Sequence, residues 1–329
     1  MQLNGAKALV TGAGGFIGSH LVEHLLEQGT SVRAFIRYTS RNDDGNLRFV
    51  DAGLQSGIEL VAGDLRDPDA VQAAADGADF IFHLGALIAI PYSYVHPREV
   101  VETNVLGTLN VLEAARRTRP ARVVHISTSE VYGTAQRVPI DESHPMQGQS
   151  PYSASKIGAD RVAESYRRSF EVPVVTVRPF NTYGPRQSAR AVIPTIVSQL
   201  LTRDRLHLGS LSPVRDFTFV TDTARGMALA ATAADVEGLE INLGSGSEIS
   251  IGKLAERLMA ITGRSVPIDT DDQRVRPDGS EVERLLADAG LAGERLGWTP
   301  EVDLDEGLRQ VVDWVGSHPE LFDPDRYTV

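Results

Sequence analysis

Residues 6–18 read Ala-Lys-Ala-Leu-Val-Thr-Gly-Ala-Gly-Gly-Phe-Ile-Gly, and they carry the strongest indication of the fold in the chain. It begins with an apolar run typical of a buried strand, continues with a glycine-rich turn, and leads into an amphipathic helix predicted over Ile17 to Gln28. Gly12, Gly15 and Gly18 permit a tight turn, a close backbone approach to a pyrophosphate, and close packing of helix on strand. The start of the helix offers amide groups and a positive dipole end. The stretch therefore predicts a dinucleotide-binding unit.

The rest of the first half repeats this alternation of short apolar runs and longer amphipathic segments. Strands are predicted at 6–11, 32–36, 58–62, 80–84, 123–127 and 174–178, and helices at 17–28, 69–75, 100–117 and 152–170. Continuous apolar strands separated by helices are typical of a parallel sheet that is covered on both faces. We therefore predict an α/β, doubly wound fold of the Rossmann type.

After Arg178 the alternation gives way to loops rich in Pro and Gly, followed by two strongly patterned helices at 251–262 and 304–315. This half predicts a smaller C-terminal α/β domain over the carboxyl edge of the sheet, where ligands bind in such folds. A strand at 239–242 is expected to return to the sheet, so that the two domains interleave. The predicted dinucleotide-binding domain is 1–178 with 218–244, and the predicted substrate domain is 179–217 with 245–329.

The composition is that of an ordinary globular protein, with 329 residues, a formal charge of −12 and no cysteine. The acidic balance argues against a nucleic-acid or anionic-membrane surface, because both require clustered Lys and Arg. The absence of cysteine excludes thiolate metal sites, and the histidines are scattered without ligand spacing, so no metal is expected. We find no signal-peptide pattern and no apolar stretch long enough to span a bilayer, and we expect a cytoplasmic protein.

The end of the second predicted strand bears on the choice of dinucleotide. An NAD-selective site usually places an acidic residue there to bind ribose hydroxyls, whereas this chain has Arg37, with Ser40 close behind. Because a guanidinium pairs with the 2′-phosphate that an acid would repel, the sequence favours NADP over NAD. After the third strand, Asp64 is placed either to accept a hydrogen bond from the adenine amino group or to cap a turn.

Two short motifs predict a hydride-transfer site. Tyr152 and Lys156 are four residues apart, so both lie on one face of a helix, where the ammonium group is expected to lower the pKa of the phenol. Thr128, Ser129 and Glu130 follow the fifth predicted strand. Glu130 adds an acid–base group that oxidation of a sugar alone would not need, and that a second chemical step would require.

Together these motifs resemble the extended short-chain dehydrogenase/reductase family, in its NAD(P)-dependent nucleotide-sugar epimerase and dehydratase branch. The likeness covers nearly the whole chain and includes residues 11–18, 64–65, 83–86, 104–108, 127–133, 152–156, 178–185, 215–217 and 296–300. Residues 150–160 and 184–196 are most similar to 4,6-dehydratases of the legionaminic-acid type, which act on nucleotide-linked N-acetylglucosamine.

The resemblance implies a nucleotide-sugar 4,6-dehydratase that oxidises C4, eliminates water across C5 and C6, and returns the hydride to C6. Tyr152 would remove the O4 proton, Thr128 would hydrogen-bond the same oxygen, and Glu130 would exchange protons at C5 and C6. The substrate would be a UDP-, GDP- or dTDP-linked hexose, with UDP- or GDP-N-acetylglucosamine favoured, and the NADP or NAD would be tightly bound. Dehydratases of dTDP-glucose have Asp in place of Ser129, whereas GDP-mannose 4,6-dehydratases also carry Thr-Ser-Glu.

Further site residues follow from the resemblance and from the need for phosphate donors in an acidic chain. The family implies additional cofactor contacts at Phe16, Ile17, Leu65, Leu84 and Ala86. The candidates for substrate binding are Ser93, Asn181, Arg186, Arg190, Arg215 and Arg276. Helices 100–117 and 152–170 match those that pair subunits in this family, so a homodimer is expected.

Other functions remain open on the sequence. A UDP-glucuronate decarboxylase shares the Thr-Ser-Glu motif and expels no hydroxyl group. A 4-epimerase is disfavoured because its close relatives have an uncharged residue at the position of Glu130, and a 5,6-dehydratase would stop before the hydride returns. A non-catalytic NADP-binding scaffold or sensor would be expected to lack Tyr152 or Lys156, and both are present.

Overall fold

The computed structural model describes residues 1–41 and 43–323, and a seven-stranded parallel sheet forms its centre. The strands in chain order are β1 (Lys7–Thr11), β2 (Ser31–Arg37), β3 (Ile58–Gly63), β4 (Phe80–His83), β5 (Arg122–Ile126), β6 (Val174–Pro179), β7 (Thr182–Tyr183), β8 (Leu206–Leu208), β9 (Val214–Asp216), β10 (Thr218–Phe219), β11 (Glu240–Leu243), β12 (Glu248–Ser250) and β13 (Ile268–Thr270). The central sheet has the order β11-β6-β5-β4-β1-β2-β3. This order confirms the predicted doubly wound α/β fold.

Helices cover both faces of the sheet and form most of the C-terminal part. In chain order they are α1 (Phe16–Glu27), α2 (Pro68–Ala75), α3 (Ile90–Val95), α4 (Pro97–Val101), α5 (Gly107–Thr118), α6 (Pro151–Phe170), α7 (Val192–Thr202), α8 (Val220–Thr232), α9 (Ile251–Thr262), α10 (Gly290–Leu296) and α11 (Leu304–Ser317). Among the described residues, no helix combines the length and apolar character needed to cross a membrane.

The alternation of side chains along β1 shows how the sheet holds two cores. Val10 packs in the core formed with α1 and α8, whereas Leu9 packs in the core formed with α2, α5 and α6. Both residues have no exposed surface, because successive side chains of a strand point to opposite faces and helices cover each face. β1 pairs with β2 on one side and β4 on the other, so the strand order reverses there. In such sheets the crevice at this point binds ligands.

The helix predicted over 100–117 is interrupted in the structure. A π-helical turn at Glu102–Leu106 separates α4 from α5. The side chain of Asn104 in this turn accepts a hydrogen bond of 2.8 Å from the amide of Leu87 and donates one of 3.0 Å to its carbonyl. The wider π-helical turn fixes the loop after β4. The regular helical periodicity of the sequence gives no sign of this interruption.

The C-terminal part builds a separate core, and the chain also returns to the central sheet. Ile196, Leu254 and Leu308, from α7, α9 and α11, are fully buried in this second core. The predicted returning strand is β11, which pairs in parallel with β6 at the edge of the sheet. Residues 324–329 of the predicted substrate domain lie outside the described residues.

Candidate active site

The glycine-rich turn lies between β1 and α1, at the carboxyl edge of the sheet. Gly12 has a φ of 71°, and a Cβ atom there would lie 2.9 Å from the Cα of Gly85. A Cβ atom on Gly18 would lie 2.2 Å from the carbonyl oxygen of Gly12, so only glycine allows α1 to pack this closely. Gly15 begins α1 without a capping side chain, which leaves the first helical amides available to an anion. The turn therefore fits a dinucleotide pyrophosphate.

A cleft of about 140 Å³ opens beside this turn. Its lining includes the predicted cofactor contacts Gly12, Arg37, Asp64, Leu65 and Ala86. Arg66 forms an ion pair of 2.6 Å with Asp64, and its hydrogen bonds lower the pKa of that carboxyl to about 2. Asp64 is therefore ionised at neutral pH and paired with Arg66, which sequence analysis did not predict as a site residue.

Arg37 lies at the mouth of the cleft, where its side chain is 65% exposed. Its Nη2 atom lies 3.6 Å from Oε1 of Glu99, and Glu99 also accepts a hydrogen bond of 2.5 Å from the Tyr92 hydroxyl. Arg37 thus remains open to an anion, although an acid lies beside it. Ser40 is exposed in the loop after β2.

The other predicted cofactor contacts lie around the same turn. Phe16 and Ile17 begin α1 and pack partly against the C-terminal core. Leu84 follows β4, and its amide donates a hydrogen bond of 3.2 Å to the carbonyl of Thr11 in β1. The two central strands thus hold the turn and this loop side by side.

Tyr152 and Lys156 are presented by the start of α6. Ser150 caps this helix, because its hydroxyl accepts from the amide of Ser153 at 3.1 Å while the Ser153 hydroxyl accepts from the Ser150 amide at 2.9 Å. Pro151 occupies the first helical position, where it sacrifices no hydrogen bond. The cap fixes the helix start, and with it the two side chains, at the carboxyl edge of the sheet.

The structure does not show the expected lowering of the Tyr152 pKa by Lys156. Burial raises the pKa of Tyr152, the hydrogen bond with Thr128 opposes this change, and the negative charges of Glu130 and Asp160 add to it. The ammonium of Lys156 instead donates a hydrogen bond of 2.6 Å to the carbonyl of Ile126. Burial lowers the pKa of Lys156 to about 8.

Thr128 and Glu130 complete this corner of the site. They follow β5, and a short 3₁₀ turn at Ser129–Tyr132 begins there, with the Thr128 hydroxyl accepting from the Glu130 amide at 3.2 Å. Both side chains are half-buried, and the Glu130 carboxylate lies close enough to Tyr152 and Arg215 to affect the pKa of each. Ser129, predicted beside them as catalytic, is only 2% exposed because the turn directs it inward, so that assignment receives no support.

Two of the predicted substrate-binding arginines converge near Glu130. Nη2 of Arg215 lies 3.2 Å from Oε1 of Glu281, and Nη1 of Arg276 lies 3.7 Å from the same oxygen. Burial lowers the pKa of Arg215, and the Glu130 carboxylate opposes this change. Two guanidinium groups that share one carboxylate form a cationic centre suited to a diphosphate.

The structure places the other substrate candidates differently. Asn181 is half-buried and donates to the carbonyl of Asp216 at 3.2 Å, next to Arg215 in β9. Arg190 is exposed, and its contact among the described residues is a local one, with the Ser188 hydroxyl at 3.3 Å.

The remaining two candidates, Arg186 and Ser93, have side chains that are buried and bonded within the fold. The Arg186 side chain is 8% exposed and forms an ion pair of 2.8 Å with Glu23 of α1, so it joins two parts of the fold rather than facing the site. Ser93 has no exposed surface, and its hydroxyl donates to the carbonyl of Ile90 at 2.7 Å. A side chain with no accessible atom does not line a binding surface.

Sequence reasoning missed Asn104, Glu281 and Asp160. Each is polar and sits at a helix or loop position where exposure is the ordinary expectation, yet Asn104 and Asp160 are each 1% exposed. Asp160 carried a weak signal, because it continues the four-residue spacing of Tyr152 and Lys156 along α6. Within the described residues, no group of three or more acidic or histidine side chains is placed to hold a metal ion.

A dinucleotide cradle with a Tyr–Lys helix at the switch point defines an enzyme of the extended short-chain dehydrogenase/reductase class. Residues 9–311 match the model of the GDP-mannose 4,6-dehydratase family, and the chain belongs to that family of nucleotide-sugar dehydratases and epimerases. A dTDP-glucose 4,6-dehydratase of Actinoplanes sp. is 34% identical over 316 residues, which cover 94% of this chain and 97% of the relative.

Two solved structures show the same fold with cofactor present. DesIV, a dTDP-glucose 4,6-dehydratase from Streptomyces venezuelae with NAD bound, superposes with a TM-score of 0.88 at 33% identity, covering 97% of this chain and 99% of that chain. UDP-glucuronic acid 4-epimerase from Bacillus cereus, in complex with UDP-glucuronic acid and NAD, gives a TM-score of 0.86 at 28% identity, covering 94% and 99%. Homologues of this chain therefore bind NAD and nucleotide sugars.

Proposed function

We propose that the protein is a nucleotide-sugar 4,6-dehydratase that acts on UDP- or GDP-N-acetylglucosamine. The observation that carries this proposal is the half-buried Glu130 carboxylate beside the phenol of Tyr152 and the guanidinium of Arg215. An oxidation at C4 alone needs one acid–base group, which Tyr152 supplies, and a carboxylate in the same place adds the second one that elimination needs.

The first half of the reaction uses the residues of α6 and β5. Tyr152 takes the proton of O4, while the Thr128 hydroxyl hydrogen-bonds to that oxygen and Lys156 stabilises the phenolate. A nicotinamide dinucleotide held at the glycine turn and the cleft beside it would supply the oxidising power for this half, by taking up the C4 hydrogen as hydride, and the reducing power for the second half. The product of this half is a 4-ketone, which acidifies the proton on C5.

The second half uses Glu130. Its carboxylate removes the C5 proton and passes it to the C6 hydroxyl, which leaves as water. C6 then receives the hydrogen taken from C4 in place of its lost hydroxyl, and C5 regains a proton equivalent to the one taken from O4 by Tyr152. The net change is loss of one water and formation of a 4-keto-6-deoxy sugar, so the cofactor is regenerated in each turnover and can stay tightly bound.

The cationic centre of Arg215 and Arg276 supports a substrate with a diphosphate. In a chain of net charge −12, an anionic ligand needs such local positive charge, and Arg binds phosphate in a bidentate way. Arg37 similarly supports NADP over NAD, because its exposed guanidinium at the end of β2 suits a 2′-phosphate. This preference is a proposal for this chain, since the homologous structures hold NAD.

The proposal includes the organisation and location predicted from the sequence. Residues 1–178 with 218–244 would bind the dinucleotide, and residues 179–217 with 245–329 would bind the nucleotide sugar. Val101, Leu106 and Phe170 are each at least 45% exposed on the segments that include α4 and α6, which supports pairing of two cytoplasmic subunits through these helices.

A 4-epimerase is the second candidate, because a 4-epimerase is among the structures that superpose well. Incubation with UDP-, GDP- and dTDP-sugars, followed by mass spectrometry, separates the functions. Loss of one water supports a dehydratase, an unchanged mass with a new sugar supports the epimerase, and released carbon dioxide supports a decarboxylase. With substrate deuterated at C4, the label moves to C6 in 4,6-dehydration and stays off C6 in 5,6-dehydration. Absence of turnover with every sugar would overturn the proposal in favour of a scaffold or sensor.

A further inference from the structure

Asp160 is a buried carboxylate on the catalytic face of α6 that the proposed chemistry does not use. Tyr152, Lys156 and Asp160 are spaced by four residues each, so they line one face of the helix. Asp160 is 1% exposed, so bulk solvent contributes little to the stabilisation of its charge. A buried charge of this kind persists only when protein groups surround it with hydrogen bonds.

Those hydrogen bonds come from the two strands that flank the catalytic corner. The hydroxyl of Ser127 donates to Asp160 at 2.8 Å, and Nε2 of His125 lies 3.1 Å from the other carboxylate oxygen. Arg178 of β6 donates at 3.1 Å from Nη2 and 3.3 Å from Nε. The carboxylate therefore joins α6 to the end of β5 and to β6.

Among these partners, Ser127 links Asp160 to the catalytic turn, because it directly precedes Thr128. Tyr152 and Lys156 belong to α6, whereas Thr128 and Glu130 belong to the turn after β5, so two separate elements have to be held at a fixed separation. The Ser127–Asp160 hydrogen bond lies next to this junction, at the level where a shift of helix against strand would separate the Tyr152 and Thr128 hydroxyls.

We propose that Asp160 is a positioning residue, which holds the helix of Tyr152 and Lys156 in register with the turn of Thr128 and Glu130 and places a fixed negative charge on the same helix face as Lys156. The proposal rests on the proposed use of these four side chains, and it applies equally to dehydratase, epimerase and decarboxylase chemistry. All three begin with the same oxidation at C4.

Titratable groups from several elements surround Lys156. On α6 they are Tyr152 and Asp160, on β4 His83, on β5 His125, and on β6 Arg178. Burial lowers the pKa of both histidines, so neither is a cation at neutral pH. Arg178 is balanced by Glu240 at 2.8 Å as well as by Asp160. Asp160 is therefore the group that favours the ammonium form of Lys156, against burial.

Ser127→Ala tests the positioning role, because it removes one hydrogen bond and keeps every charge. We expect kcat for reduction of the bound nicotinamide, followed by absorbance during a single turnover, to fall by about 10²-fold with little change in KM, since a small displacement of reacting groups has this effect. The matched control is Ser198→Ala, which deletes a hydroxyl of similar burial in α7 that donates to the carbonyl of Thr195 in the same helix. It should affect stability alone.

Asp160→Asn tests the electrostatic role. Without the carboxylate the pKa of Lys156 falls further below about 8. The loss of activity at alkaline pH should therefore begin at a lower pH in this variant than in the wild type. Ser127→Ala keeps the carboxylate, so its activity should be lost at the same alkaline pH as that of the wild type. The same displacement should appear in the pH dependence of NADH affinity, measured by fluorescence, which needs no turnover. Asp160→Glu should shift the alkaline loss of activity part of the way back towards that of the wild type.

The outcomes distinguish this inference from the proposed function. If no nucleotide sugar reduces the cofactor, the proposed function fails, and the pH dependence of NADH affinity still decides whether Asp160 controls Lys156. The inference is overturned if Ser127→Ala has the kcat of the wild type. It is also overturned if a folded Asp160→Asn loses activity at the same alkaline pH as the wild type. If Asp160→Asn does not fold, Ser127→Ala decides alone.

Discussion

The ammonium group of Lys156 donates a hydrogen bond of 2.6 Å to the carbonyl oxygen of Ile126, the last residue of β5. This contact anchors a cation that burial makes unfavourable, since the pKa of Lys156 falls from 10.5 to about 8. The site therefore retains a charge at the expense of stability, as active sites commonly do.

Lys156→Met should abolish turnover and stabilise the fold by about 1–3 kcal/mol at pH 7, because the pKa shift corresponds to roughly 3 kcal/mol and one hydrogen bond is lost. The unfolded chain binds more protons than the folded one between about pH 8 and 10.5, so wild-type stability rises across this window and the difference shrinks. Urea denaturation at several pH values measures it. Lys253→Met, at an exposed lysine, should show no such trend.

Glu130→Gln should separate oxidation from elimination. The amide cannot take the C5 proton, so product formation should fall by about 10²–10⁴-fold while reduction of the cofactor continues. Rapid-scan absorbance follows the reduced nicotinamide, and mass spectrometry follows the product. Glu294→Gln, at an exposed position in α10, is the control. Normal product formation by Glu130→Gln would remove this residue from the mechanism.

Arg276→Ala should weaken binding of the nucleotide sugar by about 10–100-fold, the effect expected for loss of a charge-assisted hydrogen bond. Cofactor affinity should stay unchanged, because Arg276 lies with Arg215 and Glu281 rather than along the cofactor cleft. Calorimetric titration with UDP and GDP measures this affinity. Arg309→Ala makes the same change on the exposed side of α11, and an equal loss there would indicate a general charge effect.

Arg37→Asp should reverse the proposed cofactor preference. An acid at the end of β2 repels a 2′-phosphate and accepts from ribose hydroxyls, so affinity for NADPH should fall at least about 10-fold relative to NADH. Fluorescence titration of stripped protein gives both constants. Arg48→Asp, an equal charge change at an exposed residue, should leave their ratio unchanged. A wild-type protein that already prefers NADH would contradict the assignment of Arg37.

Arg186→Ala should lower stability rather than substrate affinity. The variant loses an ion pair with Glu23 and a hydrogen bond of 2.8 Å to the carbonyl of Phe49, both at a side chain that is 8% exposed. We expect a loss of about 2 kcal/mol, seen as a lower Tm. Arg190→Ala, at a nearby exposed arginine, should change Tm little. A selective loss of nucleotide-sugar affinity in Arg186→Ala would instead support its predicted role in substrate binding.

The features that depend on local spacing could be predicted from the amino-acid sequence. The glycine turn, the alternation of apolar strands and helices, and the Tyr152–Lys156 pair follow from backbone freedom and from the periods of strand and helix. These features also brought Thr128 and Glu130 to the correct edge, because the carboxyl ends of parallel strands meet at one edge of the sheet.

The tertiary structure alone decided which polar side chains face the site and which stabilise the fold. Arg186 and Arg276 are the same type of residue, and the sequence does not distinguish their roles. Arg186 pairs with Glu23, 163 residues away. Arg276 lies with Arg215 and Glu281. The environment of Asp160 likewise depends on Ser127, 33 residues earlier. Burial and the choice of partner depend on contacts distant in sequence, and these set the pKa, the charge balance and the accessibility of each group.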